Sequence, residues 1–134
     1  MMAKVKLLRT GNAPLEFEGE KIAGVSGQRF RGKQRNRWHE LALYRLADGR
    51  FVLSLRYRTQ WEGEAEADEA HVCADQAELL QVLRGVDPAD RVQGYPPHEV
   101  YAAKQARLIE DLRVTCENLI SDLLEEAGIT ERLA

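Results

Sequence analysis

Cysteine is nearly absent from this chain: its two residues, Cys73 and Cys116, stand far apart and form no CxxC pair. That spacing provides neither a disulfide framework nor a zinc-ribbon ligand set, and it points to reduced, buried thiols in a cytoplasmic protein. No stretch approaches about 18 consecutive apolar residues, so no transmembrane helix is expected. The basic N-terminus, Met1 to Arg9, lacks the apolar core of a signal peptide, which again points to the cytoplasm. Glycine-rich phosphate loops are missing too. Gly24-Val25-Ser26-Gly27 has neither the spacing nor a following helix pattern. The histidines His39, His71 and His98 share no zinc-type spacing, and His71 with Cys73 is a ligand pair without further ligands. No metal, no cofactor and no catalytic residue are expected.

What is present is an ordinary globular balance of 44% hydrophobic and 31% charged residues. At 134 residues the chain fits one domain, 1–134, with enough length to bury a core without cross-links. The net charge of −3 argues mildly against a protein living wholly on nucleic acid, but the charge is unevenly distributed.

Residues 1–74 read mainly as strands. A turn at Thr10-Gly11-Asn12 precedes an extended run near Leu15–Ile22, and Val25–Arg31 reads as another short strand, with glycines breaking up the region. The clearest local signal is Asp48-Gly49 between Trp38–Leu46 and Phe51–Tyr57, a dipeptide suited to a two-residue type I′ hairpin turn. That turn pairs Leu46 with Phe51, Tyr44 with Leu53, Ala42 with Leu55 and Glu40 with Tyr57. It places Trp38, Ala42, Tyr44, Leu46, Phe51, Leu53, Leu55 and Tyr57 on a core face, with Arg37, His39, Leu41, Leu43, Arg45, Val52, Ser54, Arg56 and Arg58 opposite. The acidic run Glu62–Glu69 reads as a long turn or solvated edge, and Ala70–Cys73 as a last strand. Asp75 and Glu78 form a capping-box pattern that opens a short helix over 75–85, closed by Gly85. A proline-bearing loop, Asp87–His98, leads to a long helix over 99–127 with Gly128 as its C-terminal cap. The fold class is therefore α+β: an antiparallel β-meander of four or five strands followed by two helices packed on one face, the last helix long.

Two surfaces invite function. The first is basic: Arg29, Arg31, Lys33, Arg35 and Arg37 alternate along the chain, and Arg56 and Arg58 continue the sign on the hairpin. Such a face suits nucleic acid or an acidic protein. The plainer reading is that Glu62, Glu64, Glu66 and Asp68, which alternate with the same period, neutralise the hairpin arginines. The second surface is the long helix, where Ile109, Leu112, Cys116, Leu119, Ile120 and Leu123 form a stripe wide enough to serve its own sheet and a second chain. A homodimer through this helix is expected. Together these describe a non-enzymatic binding or regulatory module of adaptor or inhibitor type. The alternative is a small enzyme or small-ligand-binding domain with a pocket between sheet and helices near Trp38, Glu40 and Tyr57, where the core-facing Glu40 would be a raised-pKa acid if it is not simply a hydrogen-bonded structural group, the plainer role.

Overall fold

Asp48-Gly49 does turn the chain, but with one more loop residue than its dipeptide implies. The Leu46 carbonyl accepts from Gly49 N at 3.0 Å, and Leu46 N donates to the Arg50 carbonyl at 2.9 Å, which leaves Ala47, Asp48 and Gly49 as the loop. Gly49 takes a left-handed φ of +89°, the conformation of a type I turn closed by a glycine bulge. The structure, a computed structural model, describes residues 2–30, 33–34, 36–88 and 99–131, with backbone alone at residues 29, 30, 33, 34 and 99–101. Its strands are β1 (Ala3–Arg9), β2 (Asn12–Ser26), β3 (Arg29–Phe30), β4 (Lys33–Gln34), β5 (Arg37–Arg45), β6 (Phe51–Thr59) and β7 (Ala67–Cys73), followed by α1 (Gln76–Arg84) and α2 (Glu99–Ala127). Five of the strands form one sheet in the order β1-β2-β5-β6-β7, with every pairing antiparallel, and β3–β4 make a separate ribbon.

The extra loop residue corrects the expected register. Leu43 lies opposite Leu53, Leu41 opposite Leu55 and His39 opposite Tyr57, while Glu40 faces Arg56. Because side chains alternate, a one-residue slip exchanges the two faces of β5. Phe51, Leu53, Leu55 and Tyr57 keep the core face expected of them, but their β5 companions are His39, Leu41 and Leu43 rather than Trp38, Ala42 and Tyr44. The reason lies in packing. This register buries Leu41 and Leu43 to 2% and 0% exposure, and a fully buried leucine is stabilised by roughly 1.5–3 kcal/mol over an exposed one.

Both helices cover that inner face. Leu79 and Leu83 of α1 and Leu119 and Leu123 of α2 join Ala23, Leu41, Leu43, Leu53 and Cys73 in one apolar cluster. Asp75 caps α1 through its side chain, accepting from Glu78 N at 2.9 Å. Gly128, with φ +71°, ends α2: Gly128 N donates to the Glu125 carbonyl and Ile129 N to the Leu124 carbonyl, a Schellman closure that tucks Ile129 into the core. Among the described residues no helix is long and apolar enough to cross a membrane.

The outer face has its own cover. β2 pairs with β1 along its first half and with β5 along its second, so the β1–β2 hairpin doubles back over the sheet. Phe17 packs edge-on against Tyr44, with ring centroids 5.4 Å apart. At the hairpin tip Thr10 N donates to the Asp68 carbonyl at 2.7 Å, and Asp68 N donates to Thr10 Oγ1 at 2.8 Å, tying β1 to β7. Val52, which faces away from the helices, is thereby 1% exposed, and Leu7 is 3% exposed.

Candidate functional site

The register sorts the arginines onto opposite sides of the sheet. Arg37 belongs to the inner side, at the end of β5, where its Nε reaches Glu64 Oε1 at 2.9 Å and Oε2 at 3.0 Å. Both side chains are buried, at 7% and 3% exposure. The Tyr57 hydroxyl donates to the same carboxylate at 2.5 Å. Burial pushes the Glu64 carboxyl up, but hydrogen bonds from Arg37, Tyr57 and Thr59 outweigh it and hold the group below the usual carboxylate range. Tyr57 is pushed the other way, by burial first, then by its hydrogen bond to Glu64 and by that group's charge. Arg37 is therefore a structural cation inside the fold and not a member of an open basic face.

Arg56 and Arg58 remain on the outer side, matched by acids across the sheet. Arg58 Nη2 donates to Asp68 at 2.8 Å and Arg58 Nε lies 3.5 Å from Glu66, while Arg56 Nε lies 3.5 Å from Asp68. Asp68 thus serves both hairpin arginines, Glu66 adds to Arg58 and Glu64 takes Arg37, so the plainer reading holds for three of the four alternating acids of that run. Arg29 and Lys33 lie in the β3–β4 ribbon, where Arg29 faces Gln34 and Phe30 faces Lys33. Arg31 and Arg35 lie outside the described residues.

Trp38, Glu40 and Tyr57 do not line one pocket, because the slip puts Glu40 and Trp38 on the outer face and leaves Tyr57 on the inner, where it lines a small cavity with His39, His71 and Val82 beside α1. Glu40 accepts from Trp38 Nε1 at 3.1 Å and lies 4.0 Å from Arg58. His39, 5% exposed, takes the inner position beside Tyr57, with ring centroids 5.3 Å apart. Burial lowers its pKa to about 4.

The stripe expected to serve a second chain is mostly interior. Leu112, Cys116, Leu119 and Leu123 are 0–3% exposed within this chain, and Ile109 and Ile120 are half-buried. Ile120 and Leu124 pack on the core and line a groove of about 700 Å³ between α1 and α2. Cys116 has its thiol pushed up to about 11 by burial and then by Glu117, and Cys73 is raised by burial and then by Glu78 and Asp75. Both are poor nucleophiles. Among the described residues no three His, Cys, Asp or Glu side chains gather as metal ligands do.

One residue escaped the sequence reading. Trp61 is 47% exposed, with its ring 4.9 Å from the Arg37 guanidinium. Gln60 N donates to the Asn36 carbonyl at 2.9 Å, which sets this indole at the root of the β3–β4 ribbon. The signal was there: a tryptophan in the polar run Gln60-Trp61-Glu62 has no apolar neighbours to be buried with. The chain has no significant match among protein-family models, curated proteins or solved structures.

Proposed function

We propose that the protein is a non-enzymatic binding module that engages single-stranded nucleic acid through the β3–β4 ribbon and Trp61. The observation that carries this reading is the exposed Trp61 indole, braced by Arg37 at the root of a segment, 28–35, that holds four cations and no acid. Bases stack on exposed aromatic rings whatever their sequence, while nearby Lys and Arg side chains neutralise phosphates. Arg56 and Arg58, already matched by Asp68 and Glu66, contribute little to such binding. A cytoplasmic setting agrees with Cys73 and Cys116 being free, buried thiols.

Titration with a mixed-sequence single-stranded oligonucleotide tests the reading. Trp61 fluorescence is expected to be quenched, and Trp61→Ala to weaken binding about tenfold, in line with the usual worth of one stacked base. The log–log salt slope is expected to approach about −3 if all four cations of segment 28–35 meet phosphates. Arg29→Ala and Lys33→Ala should each flatten that slope. Tight binding to an acidic protein with no binding to the oligonucleotide would overturn the nucleic-acid reading.

A further inference from the structure

A different part of the sheet carries a second site. On the outer face, Gly24 of β2, Ala42 of β5, Ser54 of β6 and Ala70 of β7 lie opposite one another in one row. Four small residues across four strands, each strand about 4.8 Å from the next, leave a trough about 14 Å long between taller rows. Lys21 and Tyr44 stand on one side of it, Glu40 and Arg56 on the other. Tyr44, held by Phe17, marks where the β1–β2 cover stops. Between β2 and β6 the trough deepens to a cavity of about 300 Å³, close to ten water volumes.

Its polar groups are arranged for a negative guest. Gly24 has no side chain, and Lys21 lies across the space: a Cβ there would stand 2.9 Å from Lys21 Cε and 3.1 Å from Nζ. The ammonium makes no ion pair among the described residues. Ser54 is 4% exposed, and its hydroxyl makes no hydrogen bond among the described residues although it lines the cavity. A buried hydroxyl without a partner is costly, and a ligand oxygen would relieve it. Arg56 stands at the rim, 38% exposed, its charge already matched by Asp68 at 3.5 Å. Of the carboxylates in that row, Glu40 is occupied by Trp38 Nε1 and lies near Arg58, and Asp68 is paired with Arg58 and Arg56.

We infer that this cavity binds a small organic anion of about ten non-hydrogen atoms, its carboxylate or phosphate oxygens held by Lys21 and the Ser54 hydroxyl. The site shares no residue with the ribbon and Trp61, so the two readings stand or fall separately.

Amide chemical shifts of the full chain, titrated separately with succinate, inorganic phosphate and tetramethylammonium, test the inference. At least one anion should produce saturable shifts at Gly24, Ala42 and Ser54, and the better of the two tells carboxylate from phosphate. Lys21→Ala is expected to weaken that binding about tenfold, the usual effect of losing one charged hydrogen bond. Ala42→Phe, which fills the trough, should abolish it. The inference is overturned if neither anion gives saturable shifts, if they gather on Arg29–Lys33 instead, or if Lys21→Ala changes nothing. Equal shifts with tetramethylammonium would overturn it too.

Discussion

The Arg37 guanidinium and the Glu64 carboxylate are both nearly dry, and Tyr57 completes the group. Cutting one partner out of a buried pair strands the other charge, which costs about 3–5 kcal/mol. Arg37→Ala is therefore expected to lower the urea midpoint by that much stability. Glu64→Gln, which keeps an acceptor for Tyr57, should lose less. His39 works through pH. Its folded pKa of about 4 lies below the unfolded value near 6.5, so the native state resists the proton that the unfolded chain accepts. The contribution is complete above pH 6.5 and is lost as pH falls toward 4, where both states are protonated. The span of about 2.5 units corresponds to an upper limit of about 3 kcal/mol. Denaturation at pH 7 and pH 5 is expected to differ by more in the wild type than in His39→Leu.

The hairpin explains how much could be read beforehand at the level of elements. Both helices were legible because caps and apolar spacing are local: Asp75 with Glu78 opened α1, and Gly128 closed α2, at the residues named. The turn site was legible as well, since few dipeptides tolerate what Gly49 does. The loop length was not, because Asp-Gly serves both a two-residue turn and a bulged three-residue one. Tertiary burial of Leu41 and Leu43 made the choice. That one residue reassigned Arg37, His39, Glu40 and Trp38 together, which is why the expected pocket dissolved while the β6 half of the core survived. β1 was missed because the alternation in Ala3–Arg9 is dominated by its basic residues, and its burial depends on a fold-back with no local signature. Gly49→Ala is expected to destabilise the chain by about 1–2 kcal/mol, the usual cost of left-handed backbone at a residue with a Cβ. Thermal melting would show it, and no change would mean that the loop adopts another form.

At the scale of the whole molecule, α2 shows how much of a wide apolar stripe one chain can bury by itself. A helix of 29 residues with flanking apolar positions looks too generous for one sheet. Here the sheet takes Leu119 and Leu123, Ile120 and Leu124 pack on the core where they line the groove beside α1, and among the described residues the large apolar side chain over a third exposed on α2 is Val114, at 40%. One exposed valine is a thin basis for pairing two helices. Light scattering at tens of micromolar is expected to return the mass of one chain, 15.2 kDa. Twice that mass would favour the dimer expected from the stripe, and a return to one chain's mass on Ile109→Glu would place α2 in the contact.

The tie between Thr10 and Asp68 also bears on how the chain folds as it is made. The β1–β2 hairpin leaves a ribosome before the rest of this sheet, yet the residue that pins its tip lies 58 positions later. Glu126 of α2 accepts from Gly24 N across 102 positions. Contacts of such reach delay the rewards of folding until nearly all the chain is present. Until then the early strands stand with open edges and uncovered leucines, the condition in which nascent chains stick to one another. The same clasp that shields Val52 in the finished protein thus makes the interval before β7 and α2 appear the vulnerable moment of its synthesis.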